Sequence, residues 1–487
     1  MKKKFVTNLI LLLSLNILIK PFWVFGIDRT VQNVVGAGEY GLYFSLFNFS
    51  LLLNILLDFG ITNFNNREIS RHPKVLPGYF SNIIGLKIFL AVIYGIVSFL
   101  IAMIIGYDKI QMHLLLPLIF NQFLASFIMY LRSNISGLQM FKTDSFLSVL
   151  DRVVMILLCA VLLWTGILGG EFKIEWFIYT QTLSYLLAVI VAFVIVLRKA
   201  SFIKPRLNIN FIKRILRKSY PFALLTILMS IYYRVDSVML ERMLPDGAVQ
   251  AGIYAQAFRV LDAFTMFAFL FATLLLPMFS RMIKKREPVE ELSVFSFLLL
   301  MIPVLIISVS LVFYRLEFME ILYNEHTGES SNILAVLMFA HIFVSTTYIS
   351  GTLLTAGGHL SALNITAVSG LVLNVVLNIF LIPKYHALGS ASASLLTQML
   401  VVGIQSILVF RLFNFGNYLK VFLKLCLFTL FIVAFAWIST QLDFSWLLRI
   451  LTVMLISIIV AIISGLIRIR VLISLFQPGE EEPAQVE

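Results

Sequence analysis

Charged residues are scarce in this sequence. They make up 13% of its 487 residues, while 60% are hydrophobic; a soluble domain carries roughly a quarter charged residues. Such a surplus of apolar side chains exceeds what a water-soluble core can bury. The scarcity of charge therefore excludes an ordinary soluble protein and predicts a chain that lies mostly within a membrane.

Cysteine is also scarce, and several nucleotide and metal motifs are missing. Cys159 and Cys426 are the only cysteines, each inside an apolar run, so neither a disulfide framework nor a thiolate metal site is expected. Walker and H-E-x-x-H sequences are absent. The one G-x-G-x-x-G string, Gly36–Gly41, lacks the surrounding βαβ unit of a dinucleotide site. Redox chemistry and ATP hydrolysis by this chain are therefore not expected.

Long apolar runs dominate instead. A run of about 18 residues crosses the roughly 30 Å hydrocarbon core of a bilayer as a helix. Such runs follow one another with short polar breaks, and they predict an all-α integral membrane protein with about fourteen transmembrane helices. The first run follows a basic start without a cleavage site, so we expect it to be retained. The predicted spans are Phe5–Ile27, Tyr40–Ile61, Phe80–Ile105, Met112–Leu131, Phe146–Leu168, Ile174–Leu197, Tyr220–Leu240, Gly252–Phe279, Val294–Tyr314, Ile333–Ala356, Leu360–Leu381, Ser390–Phe410, Val421–Thr440 and Trp446–Ile467.

Lysine and arginine are unevenly distributed among the loops. They concentrate in the N-terminus and in alternate loops such as Arg198–Lys218 and Arg281–Arg286, which favours the cytoplasmic side for those loops and for both termini. The formal net charge of +12 is thus dispersed over short loops. A nucleic-acid binder would gather it on one folded face, so nucleic acid is not expected as a partner.

The chain divides after six predicted spans. Residues 198–219 alternate apolar and basic side chains at helical spacing, which is typical of a helix on an anionic membrane surface. A repeat supports the division, because Gly38-Glu39-Tyr40 and Gly252-Ile253-Tyr254 are 214 residues apart, as are Lys20 and Arg234. Parallel repeats of this kind leave a cavity between two lobes. The predicted units are a six-helix N-terminal lobe (1–200), an amphipathic cytoplasmic linker (201–219), a pseudo-two-fold related six-helix C-terminal lobe (220–412), and two extra helices with an acidic cytoplasmic tail (413–487).

Three motifs resemble those of a known transporter family. Residues 34–72 contain Gly36, Tyr40 and Gly41, then Asp58-Phe59-Gly60, then Arg67-Glu68-Ile69-Ser70. This order resembles the G-x-x-x-Y-G, D/Y-F-G and R-x-I-A/S elements of polysaccharide flippases, a branch of the MOP exporter superfamily, which includes the MATE transporters. Asn374 to Pro383 and Leu388 to Ala391 resemble the superfamily pattern N-x-x-L-N-x-x-L-I-P…G-A-A, although His386 stands where a glycine often follows the proline.

The resemblance implies a function. It implies a V-shaped, two-lobed flippase of the bacterial cytoplasmic (inner) membrane, which moves undecaprenyl-pyrophosphate-linked oligosaccharide units, as for O-antigen or lipopolysaccharide, to the outer leaflet by alternating access. It further implies membrane lipids as partners, with polysaccharide polymerase and glycosyltransferases as functional neighbours. No cofactor is expected, and Na⁺ or H⁺ stays open as a coupling ion.

Ionisable residues at membrane depth are costly and mark functional sites by default. A pyrophosphate cargo requires cations in a cavity of low dielectric, and Lys20, Arg234 and Arg259 are the predicted binding cations. Each has a structural alternative: Arg259 and Asp262 are three residues apart and can form an ion pair, and Lys20 can extend to the interface. Secondary cavity or coupling candidates are Asp236, Asp262, Arg152 and Lys87, of which Arg152 and Lys87 can also reach the interface.

Two other functions stay open at this stage. A drug or cation antiporter of the same superfamily requires unpaired carboxylates in its cavity, whereas Asp151, Asp236 and Asp262 all lie close in sequence to arginines. A polymerase or glycosyltransferase requires a sizeable catalytic segment, whereas the longest predicted outer loop is Arg315–Asn332. Aromatic residues beside the cations, Phe22, Trp23, Tyr232 and Tyr233, can stack on sugar rings or simply pack.

Overall fold

A computed structural model of the chain describes residues 18–167, 170–200, 209–413, 415 and 419–466, with the backbone alone for 209–222 and 419–420. Regular structure in this part is entirely helical, which confirms the all-α prediction. The helices are α1 (Arg29–Leu52), α2 (Ile61–Arg71), α3 (Leu76–Ile105), α4 (Lys109–Gly137), α5 (Phe141–Trp164), α6 (Ile174–Ala200), α7 (Ile209–Met243), α8 (Gly247–Lys285), α9 (Glu290–Phe313), α10 (Arg315–Leu322), α11 (Thr327–Ala356), α12 (Leu360–Leu412), α13 (Leu419–Thr440) and α14 (Trp446–Ile463); a π-helical segment, Trp23–Asp28, precedes α1.

Most of these helices are long and apolar enough to cross a membrane. Eleven pass this test within the described residues, and the bent pair Leu18–Leu52 with Asn54–Arg71 adds a twelfth. The chain is therefore a multi-pass membrane protein. Residues 5–17 of the first predicted span lie outside the described residues.

Helix α12 is a hairpin of two spans. Its 53 residues would extend about 80 Å as a straight helix, far more than a bilayer requires. The chain turns at His386, whose φ is 51° and ψ −132°. Beyond the turn, a Cβ on Gly389 would lie 2.3 Å from the carbonyl oxygen of Leu381. The two arms correspond to the predicted spans Leu360–Leu381 and Ser390–Phe410.

A similar turn at Gly36 separates the first two spans. Gly36 has φ 80° and ψ 168°, a conformation that residues with a Cβ rarely adopt. Past this turn the hydroxyl of Tyr40 donates a hydrogen bond to Asp28 Oδ2 at 2.7 Å, although twelve residues separate them. The predicted loop between Ile27 and Tyr40 is wrong, since the chain stays helical on both sides of one kinked residue. With the two turns counted, the described chain contains the fourteen segments that the sequence predicts.

The two predicted lobes meet where α1 crosses α8. An added Cβ on Gly41 would lie 1.8 Å from the oxygen of Ala248, and one on Gly252 would lie 2.0 Å from the oxygen of Ala37. The contact is reciprocal, because Ala37 and Ala248 are 211 residues apart, as are Gly41 and Gly252. In this helix pair the repeat register is therefore 211 and not the 214 predicted, since the tyrosines used for the alignment are offset by three residues.

Candidate functional site

A cavity of about 880 Å³ lies between the two sets of helices. Its walls come from the segment before α1, from α5, and from α7, α8, α11 and α12. This volume is near the upper end of the roughly 300–1,000 Å³ typical of small-molecule sites. The cavity therefore has room for more than a diphosphate group.

The charged residues that line the cavity are mostly cations. Among the described residues they are Lys20, Arg152, Arg234 and Arg259, with Asp262 as the one carboxylate. The structure thus brings together all three predicted binding cations and two of the four secondary candidates. That these side chains bind cargo stays a prediction.

Arg259 on α8 is bound to the N-terminal lobe. Its Nε atom lies 2.9 Å from Asp28 Oδ2 and 3.0 Å from the hydroxyl of Tyr40, and its guanidinium stacks over Phe44 with 5.1 Å to the ring centroid. The predicted Arg259–Asp262 pair is absent from the described ion pairs, because Asp28 takes this role. The contacts found here use Nε, so the terminal nitrogens of Arg259 stay available to an anion.

Arg234 and Lys20 have no carboxylate within ion-pairing distance among the described residues. Arg234 Nη1 donates a hydrogen bond of 2.8 Å to Asn48 Oδ1 across the lobes, and its guanidinium stacks over Tyr233. Lys20 is partly exposed and lines the cavity, so it does not extend to lipid. Without a counter-charge, these two cations carry the strongest demand for an anionic ligand.

Arg152 on α5 forms the adjacent part of the cationic wall. Its Nε lies 3.5 Å from Asp151 Oδ2, and its guanidinium stacks between Trp23 and Tyr185, with 5.4 and 5.9 Å to the ring centroids. The prediction that Arg152 reaches the interface is therefore wrong. Trp23 itself stacks on Phe177, which fixes the ring at the cavity wall.

Lys87 belongs to a different site and is not a cavity residue. Its Nζ lies 2.6 Å from Asp58 Oδ1 and donates to the Leu57 carbonyl and the Ser126 hydroxyl, both at 2.9 Å. With 1% of its side chain exposed, it cannot extend to the interface as predicted. Asp58 also accepts a hydrogen bond of 2.5 Å from the Thr62 hydroxyl, so the D-F-G motif forms the turn that begins α2.

Asp236 is buried behind the cavity wall. It accepts hydrogen bonds from Asn374 and Asn378 at 3.1 and 2.8 Å, from the Tyr254 hydroxyl at 3.1 Å, and from Ser394. The two asparagines are those of the N-x-x-L-N motif. The expected pairing of Asp236 with an arginine is wrong for the described residues, because Arg234 points to a different face and binds Asn48.

The aromatic residues near the cations separate into two groups. Trp23, Tyr232 and Tyr233 line the cavity, whereas Phe22 has 53% of its surface exposed and is not part of the described lining. Tyr233 lies near Asp262, with its hydroxyl 3.4 Å from Oδ1. Stacking on sugar rings is therefore geometrically possible for the first group only.

One face of the molecule is closed by contacts between the lobes. Arg242 at the end of α7 donates to the carbonyls of Ile105 and Gly106 at 2.9 and 3.2 Å. Arg29 Nε donates to the carbonyl of Leu322 at 2.6 Å, the last residue of α10. We call this the latch face.

The cavity extends toward the opposite face. Thr355 in the last turn of α11 and Leu363 in the first turn of α12 both line it, as does Leu276 near the basic end of α8. These helix ends adjoin the basic loops that the sequence predicts to be cytoplasmic. The cavity therefore lies toward the predicted cytoplasmic face, and the latch face is the predicted outer one.

Some site residues were missed by reasoning from the sequence. Asp28 and Asn48 bind the arginines, but Asp28 was taken as a loop residue and Asn48 is a neutral residue inside an apolar run. The polar residues of α11 and α12 were also missed, since single threonines and glutamines give no periodic signal. Asp28 had one detectable signal: a carboxylate two turns from Lys20 next to an apolar span.

Solved structures show similarity over most of the chain. The lipid II flippase MurJ in an inward closed conformation matches with a TM-score of 0.72 and 17% identity, covering 94% of this chain and 100% of that one. An inward-facing multidrug resistance MATE family transporter of the MOP superfamily matches with a TM-score of 0.61 and 16% identity, covering 82% and 96%. A MOP superfamily transporter from Pyrococcus furiosus matches with a TM-score of 0.54 and 16% identity, covering 82% and 92%. No curated protein sequence matches the chain.

These similarities define the class first: the architecture is the MOP superfamily fold. The family follows from the sequence itself. The profile of the family described as polysaccharide biosynthesis protein matches residues 5–283, which is more than half of the chain, and the chain belongs to that family. The predicted resemblance is confirmed.

Proposed function

We propose that the chain is a flippase that moves an undecaprenyl-pyrophosphate-linked oligosaccharide from the inner to the outer leaflet of a bacterial cytoplasmic membrane, with both termini cytoplasmic. The observation that carries the proposal is the cavity between the lobes, lined by four cations and one carboxylate and closed on the latch face. Membership of a polysaccharide biosynthesis family and the fold of a lipid II flippase support it.

The chemistry of the cations suits a diphosphate. In a low-dielectric cavity a charge-assisted hydrogen bond to phosphate is stronger than in water. Lys20 and Arg234 lack an ion partner among the described residues, and Arg259 keeps its terminal nitrogens available. Together they can neutralise a headgroup that would otherwise carry its charge into the membrane.

Transport requires a driving force. An inside-negative potential favours outward movement of an anion by about 2.3 kcal/mol per charge per 100 mV, provided that the diphosphate crosses still charged. Na⁺ or H⁺ coupling is the other source, with Asp236 and Asp262 as candidate groups. Polysaccharide polymerase and glycosyltransferases would consume and supply the cargo.

Flipping in proteoliposomes tests the proposal. Arg234→Glu and Lys20→Glu should each abolish translocation of undecaprenyl-pyrophosphate-linked oligosaccharide, because each replaces attraction of the diphosphate by repulsion. Lys109→Glu, an exposed charge reversal at the start of α4, is the matched control and should transport normally. Wild-type flipping by both cavity variants would refute the proposal.

A drug or cation antiporter is the second candidate, favoured by one observation. Asp236 is bound by neutral donors rather than by an arginine, and an inward-facing MATE transporter shares the fold. This candidate predicts that Asp236→Asn and Asp262→Asn remove dye efflux from cells. Unchanged efflux in both variants, or no efflux in the wild type, would exclude it.

The polymerase hypothesis has weaker support. The predicted outer loop Arg315–Asn332 contains helix α10, whose Leu322 carbonyl binds Arg29 and Asn33 of the other lobe. This contact gives the segment a role in joining the lobes. Sugar polymerisation by the purified protein would revive the hypothesis.

A further inference from the structure

The cavity has two chemically different walls. Its charged lining residues, within the described part of the chain, come from the segment before α1 and from α5, α7 and α8. Helices α11 and α12 contribute a second wall that carries hydroxyl and carboxamide groups but no charged side chain among the described lining residues. We call it the neutral wall. Its polar members include Thr347, Thr352, Thr355, Gln398 and Gln405.

Gln405 is held in place at this wall. Its side chain is 4% exposed, and its Oε1 accepts a hydrogen bond of 2.7 Å from the Ser350 hydroxyl. The neighbouring Gly351 leaves space beside it, since an added Cβ there would lie 3.5 Å from Oε1. No hydrogen bond to Nε2 is found within the described residues. The carboxamide is therefore oriented by one oxygen, with amide donors left for a ligand.

The threonines of α11 supply acceptors. The hydroxyls of Thr352 and Thr355 donate to the carbonyls of Tyr348 and Gly351, one turn earlier, at 2.5 and 2.7 Å, and Thr347 does the same to Phe343 at 3.2 Å. Each hydroxyl keeps free lone pairs. Buried polar groups are costly at membrane depth unless they find partners, so this wall is suited to a ligand rich in hydroxyl and amide groups.

We propose that the saccharide part of the cargo lies against the neutral wall and that the sugar rings bound there are uncharged, bearing hydroxyl or N-acetyl groups rather than carboxylates. This inference rests on the proposed function, in which the cationic wall holds the diphosphate. A uronate at the neutral wall would lose its hydration without meeting a cation from α11 or α12, which is unfavourable. Each neutral hydrogen bond contributes about 1 kcal/mol, so several bonds give measurable selectivity.

The test compares the affinity of the purified full chain in detergent for three ligands: undecaprenyl diphosphate without sugar, the same lipid with a neutral N-acetylated oligosaccharide, and the same lipid with a uronate in place of the first sugar. The neutral glycolipid should bind most tightly. In Gln405→Ala its affinity should fall about fivefold to tenfold, which corresponds to one or two lost hydrogen bonds. Binding of the sugar-free lipid should not change, which also shows that the variant is folded.

Controls separate this inference from the proposed function. Gln441→Ala, an exposed glutamine at the end of α13, should leave all three affinities unchanged. Equal binding of the neutral and uronate glycolipids, or an unchanged preference in both Gln405→Ala and Gln398→Ala, would overturn the neutral-wall inference while leaving the flippase proposal intact. Failure of the wild type to bind the sugar-free lipid would instead refute the flippase proposal itself.

Discussion

Two kinds of buried cation occur in the molecule, and their partners distinguish them. Lys87 has a carboxylate, a carbonyl and a hydroxyl around its ammonium group, so its bonding capacity is filled by the protein. Arg234 has one neutral partner, Asn48. A cation filled in this way stabilises a fold, whereas a cation that lacks a counter-charge attracts a ligand.

The Lys87–Asp58 pair gives a residue-scale prediction. Asp58→Asn leaves a buried ammonium group without a counter-charge, which typically costs about 3–5 kcal/mol. Lys87→Met should cost less, because Asp58 is 26% exposed and keeps its bonds to Thr62. Thermal unfolding in detergent should therefore rank the wild type above Lys87→Met and Lys87→Met above Asp58→Asn. The reverse order of the two variants would contradict this account of the pair.

Sequence patterns located the cavity cations but not their partners. Lys20, Arg234 and Arg259 were found because charge at membrane depth is rare. The Arg259–Asp28 pair joins residues 231 positions apart, and no local spacing rule reaches that far. Lys87 was misplaced for the same reason, since its partner Asp58 lies on a different span.

At the scale of helices, the crossing of α1 and α8 sets how closely the lobes approach. The backbones meet at Gly41 and Gly252, where an added Cβ would lie about as close to a carbonyl oxygen as a covalent bond allows. Glycine at these positions is a requirement of packing. Gly38, on the same helix, has room for a methyl group, with Val249 Cγ2 3.8 Å away.

The crossing predicts a contrast between two conservative variants. Gly41→Ala should destabilise the protein by at least the 1–3 kcal/mol typical of overpacking, because two helix backbones must separate. Gly38→Ala, with the same chemical change, should leave the melting temperature in detergent nearly unchanged. Equal melting temperatures for both variants would show that the two helices do not approach as closely as described here.

The sequence predicted helices better than the turns between them. Hydropathy located the spans because each must present an apolar surface to lipid. The reversal at His386 occurs in a single residue with positive φ, where a non-glycine residue gives no turn signal. The register of the repeat was likewise three residues off, since it was set by tyrosine identity while the helices pack through glycines.

At the scale of the whole molecule, the latch face opposes the cavity. Arg242 binds the end of α3 and stacks over Tyr107, while Arg29 binds the end of α10. Glu241 also accepts a hydrogen bond of 2.6 Å from Gln111. In alternating access these bonds must break before cargo can leave on the outer side.

Removal of the latch should change the balance of conformations. In Arg29→Ala/Arg242→Ala, the loss of hydrogen bonds to charged groups, worth about 1.5–3 kcal/mol each, should shift the population toward the form open on the latch face by at least tenfold. Spin labels at positions 109 and 245 should then report longer distances. Arg281→Ala, at the exposed basic end of α8, is the control, and identical distance distributions in all three proteins would argue against the latch.

The central claim is that unpaired cations between the lobes bind the diphosphate of a lipid-linked glycan. The most direct measurement is the affinity of the purified protein for undecaprenol, undecaprenyl phosphate and undecaprenyl diphosphate, in the wild type and in Lys20→Gln/Arg234→Gln. Affinity should rise with phosphate charge in the wild type, and this rise should disappear in the double variant. An equal rise in both proteins, or affinity independent of charge in the wild type, would contradict the claim.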